Sequence, residues 1–448
     1  MDTFVNPLSS RRSSALTGTV SVPGDKSISH RALLFGAMAI GETRISGLSQ
    51  GEDVQDTASA LKAMGVGITV KEDICTVEGR GIGGLMEPET AIDLGNSGTA
   101  VRLLMGVVAQ QPVKVHFTGD ASLSSRPMAR VMTPLKQQGI EFDARDDNLL
   151  PLSVRGPECL LPIQYALPVP SAQVKSAILL AGLAAPGETS VIEKERTRDH
   201  TERMVTYFGG DIHTQTGDKG EHIITVSGQP ELKAAPVDVP GDPSQAAFVV
   251  VAALLCPDSD VVVENVCLNS LRDGIFVTLR EMGANLEYLN ERESGGELVA
   301  DIRVRSSQLR GIVVPATRAP SMIDEYPVLS IAAAFAKGQT VMKGLAELRV
   351  KESDRLAVMA AGLKACGIAV TEQPDGMIID GATSVRGGAT VATHLDHRIA
   401  MSFLVLGLMS DQAVTVDDGG PIDTSFPGFA ELFNGMGAHI SATERNAS

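Results

Sequence analysis

Basic side chains stand in glycine- and serine-rich loops at several points along the chain, and each loop precedes an apolar segment. Lys26, Ser27 and Arg31 lie in the first such loop, Gly24–Arg31. Backbone N–H groups at a helix start bind anions, and a nearby lysine adds positive charge. The glycine spacing is not that of a P-loop. This loop therefore predicts either an anion site or an ordinary helix cap formed by Ser27.

Two more loops of this kind follow in the first half of the chain. In Gly95–Arg102, Gly98 allows a close backbone approach. Its polar neighbours could bind a ligand or cap a helix: Asn96, Ser97 and Thr99. Arg126 stands directly before Pro127, which favours an extended backbone and keeps the arginine in a loop. Arg126 is therefore either a ligand contact or a surface arginine.

The same arrangement recurs around the third apolar segment. Ser171, Ala172 and Gln173 precede it, and Arg198 follows the next predicted strand within Thr197–His200. Each of these signals is weak alone. Together they predict polar or cationic groups at the N-terminal approach of most of the apolar helices.

In the second half, carboxylates join the cations. Asp324 precedes the fifth apolar segment, and Arg349–Arg355 is a dense charge run that contains Glu352. Lys351 and Arg355 are four residues apart, so on a helix they would share one face. Asp354 could cap a helix or pair with either cation. The alternative for the whole run is a solvated surface.

His394–Arg398 opens the sixth apolar segment with two histidines and a carboxylate. No third ligand stands at a spacing typical of metal sites, and the HExxH motif is absent. We therefore predict no metal. The inventory of many cations, at least two carboxylates and no obvious nucleophile favours a transferase or lyase that acts on phosphorylated or carboxylated metabolites. A non-catalytic anion-binding protein would explain the cations but not the carboxylates.

The elements that must position these groups recur six times, at intervals of about 70 to 85 residues. Each repeat has an apolar, small-residue helix followed by a strand, and a second helix that ends in apolar-x-x-Gly before another strand. The first kind of helix is apolar all round, which is typical of a buried helix. At roughly 10 to 15 residues it is too short to span a membrane. The pattern predicts α/β domains with the helices inside and the sheets outside.

The chain has 448 residues, which is too many for one hydrophobic core, so we expect two domains. Matching phrases at Val22–Asp25 and Val239–Asp242 indicate two crossings between them. We predict one domain of residues 1–22 plus 240–448 and another of residues 23–239. Two crossing strands would form a hinge that permits closure over a ligand.

The net charge of −16 argues against a nucleic-acid or anionic-membrane partner, although a local basic cleft remains compatible with it. Five scattered cysteines without a CxxC pair indicate reduced thiols in a cytoplasmic protein. Nothing in the sequence indicates obligate association, so we expect a monomer.

In this order, the motifs resemble those of the 5-enolpyruvylshikimate-3-phosphate (EPSP) synthase family, from about Leu16 to Ile440. The most specific matches are Pro23–Ser27 with Arg31, Gly95–Thr99, Arg126-Pro127, Leu348–Arg355 and Asp396–Arg398. The Ser171–Gln173 phrase is similar to that of the bacterial class II branch. The resemblance implies two inside-out α/β domains, each of three βαβαββ repeats with buried helices, joined by a two-strand hinge.

The resemblance also implies an activity: transfer of the enolpyruvyl group of phosphoenolpyruvate to the 5-hydroxyl of shikimate 3-phosphate, without a cofactor or metal. The matching positions for shikimate 3-phosphate are Lys26, Ser27, Arg31, Ser171, Ala172, Gln173, Arg198, Asp324 and Lys351. Those for phosphoenolpyruvate are Lys26, Gly98, Arg126, Glu352, Arg355 and Arg398. By resemblance, Asp324 is the base for the hydroxyl and Glu352 moves the proton of the methylene carbon. Lys26 and His397 assist them.

Three further observations bear on this expectation. Many relatives carry a lysine at the position of Thr424, so we do not expect the anion contact of that lysine in this chain. The rival enolpyruvyl transferase, which acts on UDP-N-acetylglucosamine, usually has a cysteine before its Arg-Pro, and Gly119–Arg126 has none. Gly98 is where glyphosate-tolerant relatives can carry alanine, so we expect glyphosate to inhibit this chain better than an alanine-bearing one.

Overall fold

The computed structural model describes residues 6–443 and shows a mixed α/β protein. Three short 3₁₀ segments accompany the helices and strands, at Ala316–Arg318, Ala346–Val350 and Gly420–Thr424. The described α-helices are α1 Lys26–Met38, α2 Glu52–Ala63, α3 Gly98–Val108, α4 Ala121–Ser124, α5 Ala129–Gln137, α6 Ala172–Gly182, α7 His200–Tyr207, α8 Pro243–Leu255, α9 Gly274–Glu281, α10 Ala319–Met322, α11 Tyr326–Ala334, α12 Arg355–Ala365, α13 His397–Gly407 and α14 Phe429–Gly435.

The strands are short, and most are about five residues long. They are β1 Leu8–Arg11, β2 Thr17–Ser21, β3 Glu42–Ser46, β4 Gly67–Lys71, β5 Ile74–Glu78, β6 Ile92–Asp93, β7 Lys114–Thr118, β8 Glu141–Arg145, β9 Leu149–Arg155, β10 Gln164–Ala166, β11 Glu188–Glu193, β12 Ile212–Thr216, β13 His222–Ser227, β14 Val237–Asp238, β15 Asp260–Cys267, β16 Asn285–Ser294, β17 Glu297–Arg305, β18 Val313–Val314, β19 Gln339–Lys343, β20 Ala369–Gln373, β21 Gly376–Asp380, β22 Thr390–Val391, β23 Val414–Val416 and β24 His439–Ala442.

Across the described residues, the strands form six sheets of four strands each. The orders are β14-β3-β5-β4, β6-β7-β9-β8, β10-β11-β13-β12, β16-β17-β15-β2, β18-β19-β21-β20 and β22-β23-β1-β24. The second sheet shows the plan: β6 pairs in parallel with β7, so that Ile92 faces Phe117, and β7 and β8 both pair antiparallel with β9. Six sheets of one plan confirm the six repeats predicted from the sequence.

The chain falls into two compact units. Unit 1 comprises residues 1–23, 240–292 and 298–448; unit 2 comprises residues 24–239 and 293–297. In unit 1, β2 pairs in parallel with β15, and β1 lies between β23 and β24. In unit 2, β14 completes the first sheet by pairing in parallel with β3.

Three helices in each unit are buried on all sides, as their apolar sequences predict. They are α1, α3 and α6 in unit 2, and α8, α11 and α13 in unit 1. Gly106 shows how closely they pack, because a Cβ atom built there would lie 2.4 Å from the carbonyl oxygen of Ala177. No described helix is long and apolar enough to cross a membrane.

The second helix of each repeat ends at a glycine in the left-handed region, where glycine is the favoured residue. After α2, for example, Gly65 has a φ of 88°, and the N–H of Val66 donates to the carbonyl of Leu61 at 3.0 Å. The equivalent glycines, all with positive φ, are Gly139, Gly209, Gly283, Gly367 and Gly437. The six apolar-x-x-Gly phrases therefore mark real helix ends.

Candidate active site

Helix α1 in unit 2 presents the first predicted loop. Its cap is Asp25, a buried side chain that accepts a hydrogen bond from the N–H of Ile28 at 2.8 Å. The alternative that Ser27 is the cap is therefore wrong. Lys26 and Ser27 stand in the first turn, and the N-terminus of a helix attracts anions. Lys26 forms an ion pair with Asp53, which lies in the first turn of α2.

Arg31 lies one turn further along α1 and is only 3% exposed. Its Nε donates to Thr201 at 2.7 Å, and its Nη2 donates to Ser176 at 2.7 Å. Its Nη1 donates to the carbonyl of Ser27 at 3.0 Å. Burial lowers the pKa of Arg31 to about 10, so the side chain is still a cation at neutral pH. Arg31 is a fixed positive charge that joins α1 to α6 and α7.

At the start of α3, capping and positioning are divided between neighbours. Ser97 is the cap and accepts from the N–H of Ala100 at 3.2 Å. Asn96 instead accepts from Arg126 Nη2 at 2.8 Å and donates to Asp120 at 2.8 Å. Arg126 is half-buried and is held in its loop, so it is not a free surface arginine.

Gly98, the first residue of α3, lies beside two arginines. A Cβ atom there would lie 2.7 Å from Arg102 Nη1 and 3.3 Å from Arg126 Nη1. Arg102 donates to the carbonyl of Gly98 at 2.9 Å and to Gln173 Oε1 at 3.1 Å. Gln173 in turn donates to Thr99 at 3.0 Å. Sequence reasoning missed Arg102, although its position four residues after Gly98 puts both on one helix face.

Helix α6 brings the third loop into place. Ser171 caps it and accepts from the N–H of Val174 at 3.3 Å, and Ala172 is its first residue. Below this end, the ammonium group of Lys175 is 1% exposed and lies 3.2 Å from Glu193 and 2.7 Å from Glu202. Lys175 also donates to the carbonyl of Thr197 at 3.2 Å. This buried ion cluster, also missed from sequence, fixes the loop that carries the half-buried Arg198.

In unit 1, one guanidinium group organises three carboxylates. Arg355 is 1% exposed, and its nitrogens lie 3.4 Å from Asp324, 2.5 Å from Glu352 and 2.8 Å from Asp396. Lys351 lies 3.6 Å from the same oxygen of Asp324. Lys351 and Arg355 are therefore both cationic partners of Asp324, and the predicted base and proton carrier share Arg355.

The prediction that Lys351 and Arg355 share a helix face is wrong. Lys351 has an extended backbone, with φ −81° and ψ −154°, and α12 begins only at Arg355. Asp354 caps α12 by accepting from the N–H of Ala357 at 3.0 Å, and it also pairs with Arg349 at 2.9 Å. Because Asp354 is the N-terminal cap of α12, the residues of the charge run that precede it lie outside that helix.

The charge of Arg355 sets the protonation state of Glu352. Partial burial would raise the pKa of Glu352, but the nearby guanidinium group outweighs it and holds the pKa well below the usual range. The Glu352 side chain remains 35% exposed, so a ligand can reach it. In the ligand-free protein Glu352 is a carboxylate at neutral pH.

Helix α13 presents the last predicted groups. Asp396 caps it, accepting from the N–H of Arg398 at 3.0 Å. Arg398 Nη1 donates to the carbonyl of Asp324 at 3.3 Å. Burial and the charge of Arg398 lower the pKa of His397 to about 4, so the imidazole is neutral at pH 7. Neutral imidazole can exchange a proton but does not supply a cation to an anion site.

Two further predictions concern atoms near these helices. Thr424 ends a 3₁₀ segment, and its hydroxyl donates to the carbonyl of Pro421 at 2.7 Å. As a threonine, it carries no positive charge. Within residues 6–443, no group of three His, Cys, Asp or Glu side chains is arranged to hold a metal ion. The ionisable groups described at these helix ends are carboxylates, ammonium and guanidinium groups, and the imidazole of His397.

Comparison with known proteins finds relatives over almost the whole chain. The family model of EPSP synthase (3-phosphoshikimate 1-carboxyvinyltransferase) matches residues 10–433. The chain is 56% identical to the 3-phosphoshikimate 1-carboxyvinyltransferase of Cereibacter sphaeroides, over 97% of this chain and 98% of that protein. It is 57% identical to the protein of the same name from Paracoccus denitrificans, with the same coverage.

A solved structure is similar in fold as well as in sequence. The EPSP synthase from Acinetobacter baumannii superposes with a TM-score of 0.89 and is 46% identical, covering 98% of this chain and 100% of that chain. These matches cover 97 to 98% of the chain. The chain therefore belongs to the EPSP synthase (3-phosphoshikimate 1-carboxyvinyltransferase) family.

Proposed function

We propose that this chain transfers the enolpyruvyl group of phosphoenolpyruvate to the 5-hydroxyl of shikimate 3-phosphate and releases phosphate. The observation that carries the proposal is the cluster around Arg355, in which Asp324 and Glu352 flank one buried cation. A protein that only bound anions would gain nothing from carboxylates there, because they repel the ligand. Carboxylates beside an anion site are what proton transfer during the reaction requires.

We assign the contacts to shikimate 3-phosphate within each unit separately. In unit 2 they are Lys26, Ser27, Arg31, Ser171, Ala172, Gln173 and Arg198, and in unit 1 they are Asp324 and Lys351. Support comes from the starts of α1 and α6, where backbone N–H groups and cations occur together. Arg31 supplies a buried, fixed positive charge close to the N-terminal end of α1.

The contacts to phosphoenolpyruvate are assigned in the same way. In unit 2 they are Lys26, Gly98 and Arg126, and in unit 1 they are Glu352, Arg355 and Arg398. Guanidinium groups bind carboxylate and phosphate in bidentate fashion, which suits the two anionic groups of this substrate. Gly98 leaves room because it has no side chain.

The chemistry divides between the two carboxylates. Asp324 accepts the proton of the 5-hydroxyl while the hydroxyl oxygen attacks C2 of phosphoenolpyruvate. Glu352 delivers a proton to the methylene carbon. The product is a tetrahedral intermediate. Glu352 then removes a proton from the methyl group, the C2–O bond to phosphate breaks, and the double bond re-forms. The departing phosphate takes the proton that Asp324 held, which returns both carboxyl groups to their initial protonation states. Lys26 and His397 assist these proton movements.

Glu352 must gain a proton before the first step, because Arg355 keeps it ionised in the free protein. Phosphoenolpyruvate supplies the means: its anionic groups compete for Arg355 and add negative charge beside Glu352. Both effects raise the pKa of a carboxyl group. Substrate binding therefore prepares the acid that the addition step uses.

Other assignments complete the proposal. We propose that the protein acts as a monomer in the cytoplasm, is inhibited by glyphosate at the phosphoenolpyruvate site, and belongs to the class II branch. The absence of charge at Thr424 means that the remaining arginines must bind phosphoenolpyruvate without a lysine at that position.

The test is release of phosphate from purified protein mixed with both substrates. We expect release that needs both compounds and survives a chelator. Glu352→Gln keeps the shape of the side chain and should lower turnover by about 10²- to 10⁴-fold while shikimate 3-phosphate still binds. The matched control is Glu347→Gln, an exposed glutamate of the same loop, which should not change turnover.

Two results would overturn the proposal. Binding of shikimate 3-phosphate without any turnover by the unaltered chain would indicate a binding protein. Turnover with UDP-N-acetylglucosamine in place of shikimate 3-phosphate would indicate the other enolpyruvyl transferase activity.

A further inference from the structure

A second buried ion cluster lies in unit 1, and none of its members contacts a substrate in the proposed function. Arg272 Nη2 lies 2.9 Å from Asp242, and its Nη1 lies 3.3 Å from Glu325. The three side chains are at most 5% exposed. Ser244 completes the cluster by donating its hydroxyl hydrogen to Glu325 and accepting from Arg272 Nη2 at 3.2 Å.

Three separate elements contribute to this cluster. Asp242 caps α8 and accepts from the N–H of Ser244 at 2.8 Å. Arg272 lies in the turn between β15 and α9, where its N–H donates to the carbonyl of Asn269 at 2.7 Å. Glu325 is the residue directly before α11. Arg272 therefore ties the first turn of α8 to the first turn of α11.

The cluster is a poor arrangement if its only task is stability. Two carboxylates share one guanidinium group, and burying ions costs several kcal/mol each before attraction repays it. Glu325 Oε2 is buried and accepts no hydrogen bond from any residue between 6 and 443. In other proteins, replacing such a buried ion cluster by apolar side chains of similar volume is often neutral or stabilising. Stability alone therefore does not account for this cluster.

Glu325 adjoins Asp324, and the two side chains have different surroundings. The Asp324 carboxylate is 17% exposed and lies near Lys351 and Arg355. Glu325 is fully buried against Arg272. The carbonyl of Asp324 accepts from Arg398 at 3.3 Å. Contacts on both residues thus fix the backbone at this point of the chain.

We propose that Arg272, acting through Glu325, is a positioning residue that fixes the backbone of Asp324 and aims its carboxylate at the 5-hydroxyl. This inference rests on the proposed function, in which Asp324 is the base. A general base must lie within hydrogen-bond reach of its proton, and a displacement of about 1 Å can cost 10²-fold in rate. Arg355 contacts the Asp324 carboxylate directly, whereas Glu325 acts on the Asp324 backbone through the peptide bond that joins the two residues.

The test is a double-mutant cycle between Glu325→Ala and Asp324→Ala, read in two ways. We expect Glu325→Ala alone to lower kcat by at least tenfold, with a smaller change in the KM for phosphoenolpyruvate. In the Asp324→Ala background it should lower kcat no further, because no base remains to be aimed. The fall in Tm caused by Glu325→Ala should be the same in both backgrounds. A merely structural role would not produce this split between kcat and Tm.

Two milder variants keep the test decisive where the alanine variant does not fold. Glu325→Gln keeps the hydrogen bonds and should retain most of kcat, whereas Arg272→Lys loses the two-pronged contact and should lower kcat several-fold. In the Asp324→Ala background, Arg272→Lys should lower kcat no further. The control is Asp260→Ala, which breaks a pair with Arg303 at 2.6 Å in the same unit and should leave kcat unchanged.

The outcomes separate this inference from the proposed function. Losses of kcat that multiply in the double variant would overturn the positioning role while leaving Asp324 as the base. An Asp324→Ala protein with undiminished kcat would instead overturn the proposed role of Asp324 and, with it, the reason for positioning.

Discussion

Replacing Gly98 by alanine tests how the first turn of α3 serves both substrates. The added methyl group would lie 2.7 Å from Arg102 Nη1, which is closer than real contacts of a Cβ atom allow, and 3.3 Å from Arg126 Nη1. Both obstacles are ends of flexible side chains, so the helix can keep its place. Arg102, the nearer, must move.

The displacement of Arg102 has a cost that the structure lets us estimate. Arg102 holds Gln173 by a hydrogen bond of 3.1 Å, and Gln173 is a proposed contact of shikimate 3-phosphate. Hydrogen bonds with a charged partner contribute about 1.5 to 3 kcal/mol. The lower end of this range corresponds to roughly tenfold weaker binding. We therefore expect the KM for shikimate 3-phosphate to rise by about tenfold.

The methyl group should also weaken binding at the phosphoenolpyruvate site, through Arg126 and through lost space. Glyphosate, the longer molecule, should lose more affinity than phosphoenolpyruvate does. The free energy of unfolding should change by no more than about 1 kcal/mol, because the helix preference of alanine over glycine, up to about 1 kcal/mol, is offset by the displaced Arg102 contact. Steady-state kinetics with each substrate varied in turn, glyphosate inhibition and thermal unfolding measure all of these quantities.

One result would refute this reasoning. If the KM for phosphoenolpyruvate rises while that for shikimate 3-phosphate stays within about twofold, the methyl group acts by filling space and not through Arg102. Equal glyphosate inhibition of Gly98→Ala and the unaltered protein would also refute the expectation about glyphosate.

Three further predictions follow from the geometry. Phosphoenolpyruvate binding should take up close to one proton per molecule through Glu352; calorimetry in two buffers of different ionisation enthalpy measures this, and no uptake would contradict it. Burial lowers the pKa of His30 to about 3, so below about pH 6.5 the unfolded chain binds a proton at His30 that the folded chain does not bind. The free energy of unfolding should therefore decrease as the pH is lowered from 7 to 4. His30→Leu should reduce this pH dependence in urea unfolding. Gly106→Ala should cost about 1 to 3 kcal/mol of unfolding free energy, because its Cβ meets the Ala177 backbone, while Gly435→Ala, with open space, should cost nothing; equal effects would refute the close packing of α3 on α6.

The sequence predicted the parts of this fold that repeat a local pattern. Segments apolar on every side became buried helices, and the six apolar-x-x-Gly phrases became helix ends with a left-handed glycine, because each is decided by a few neighbouring residues. Asp324, Glu352 and Arg355 lie together within unit 1. The motif resemblance named all three as site residues, whereas their spacing in the sequence alone did not.

Long-range pairings were beyond sequence reasoning. Arg102 reaches Gln173, and Arg272 reaches Glu325, across many residues of chain whose spacing carries no signal. The choice of Asp25 over Ser27 as the cap of α1 was also missed, since both residue types cap helices equally well. Such choices depend on which side chain the surrounding fold buries.

Strand β1 has a consequence for how the protein is made. It pairs on both sides with strands near the other end of the chain, Val414–Val416 and His439–Ala442, and β2 pairs with Asp260–Glu264. Residues 24–239, by contrast, contain every strand of three sheets. On the ribosome, unit 2 can therefore complete its sheets while residues 8–21 still lack partners, since domains fold as their residues emerge. A strand synthesised before all of unit 2 is thus paired only after the strands near residues 414–442 have been made.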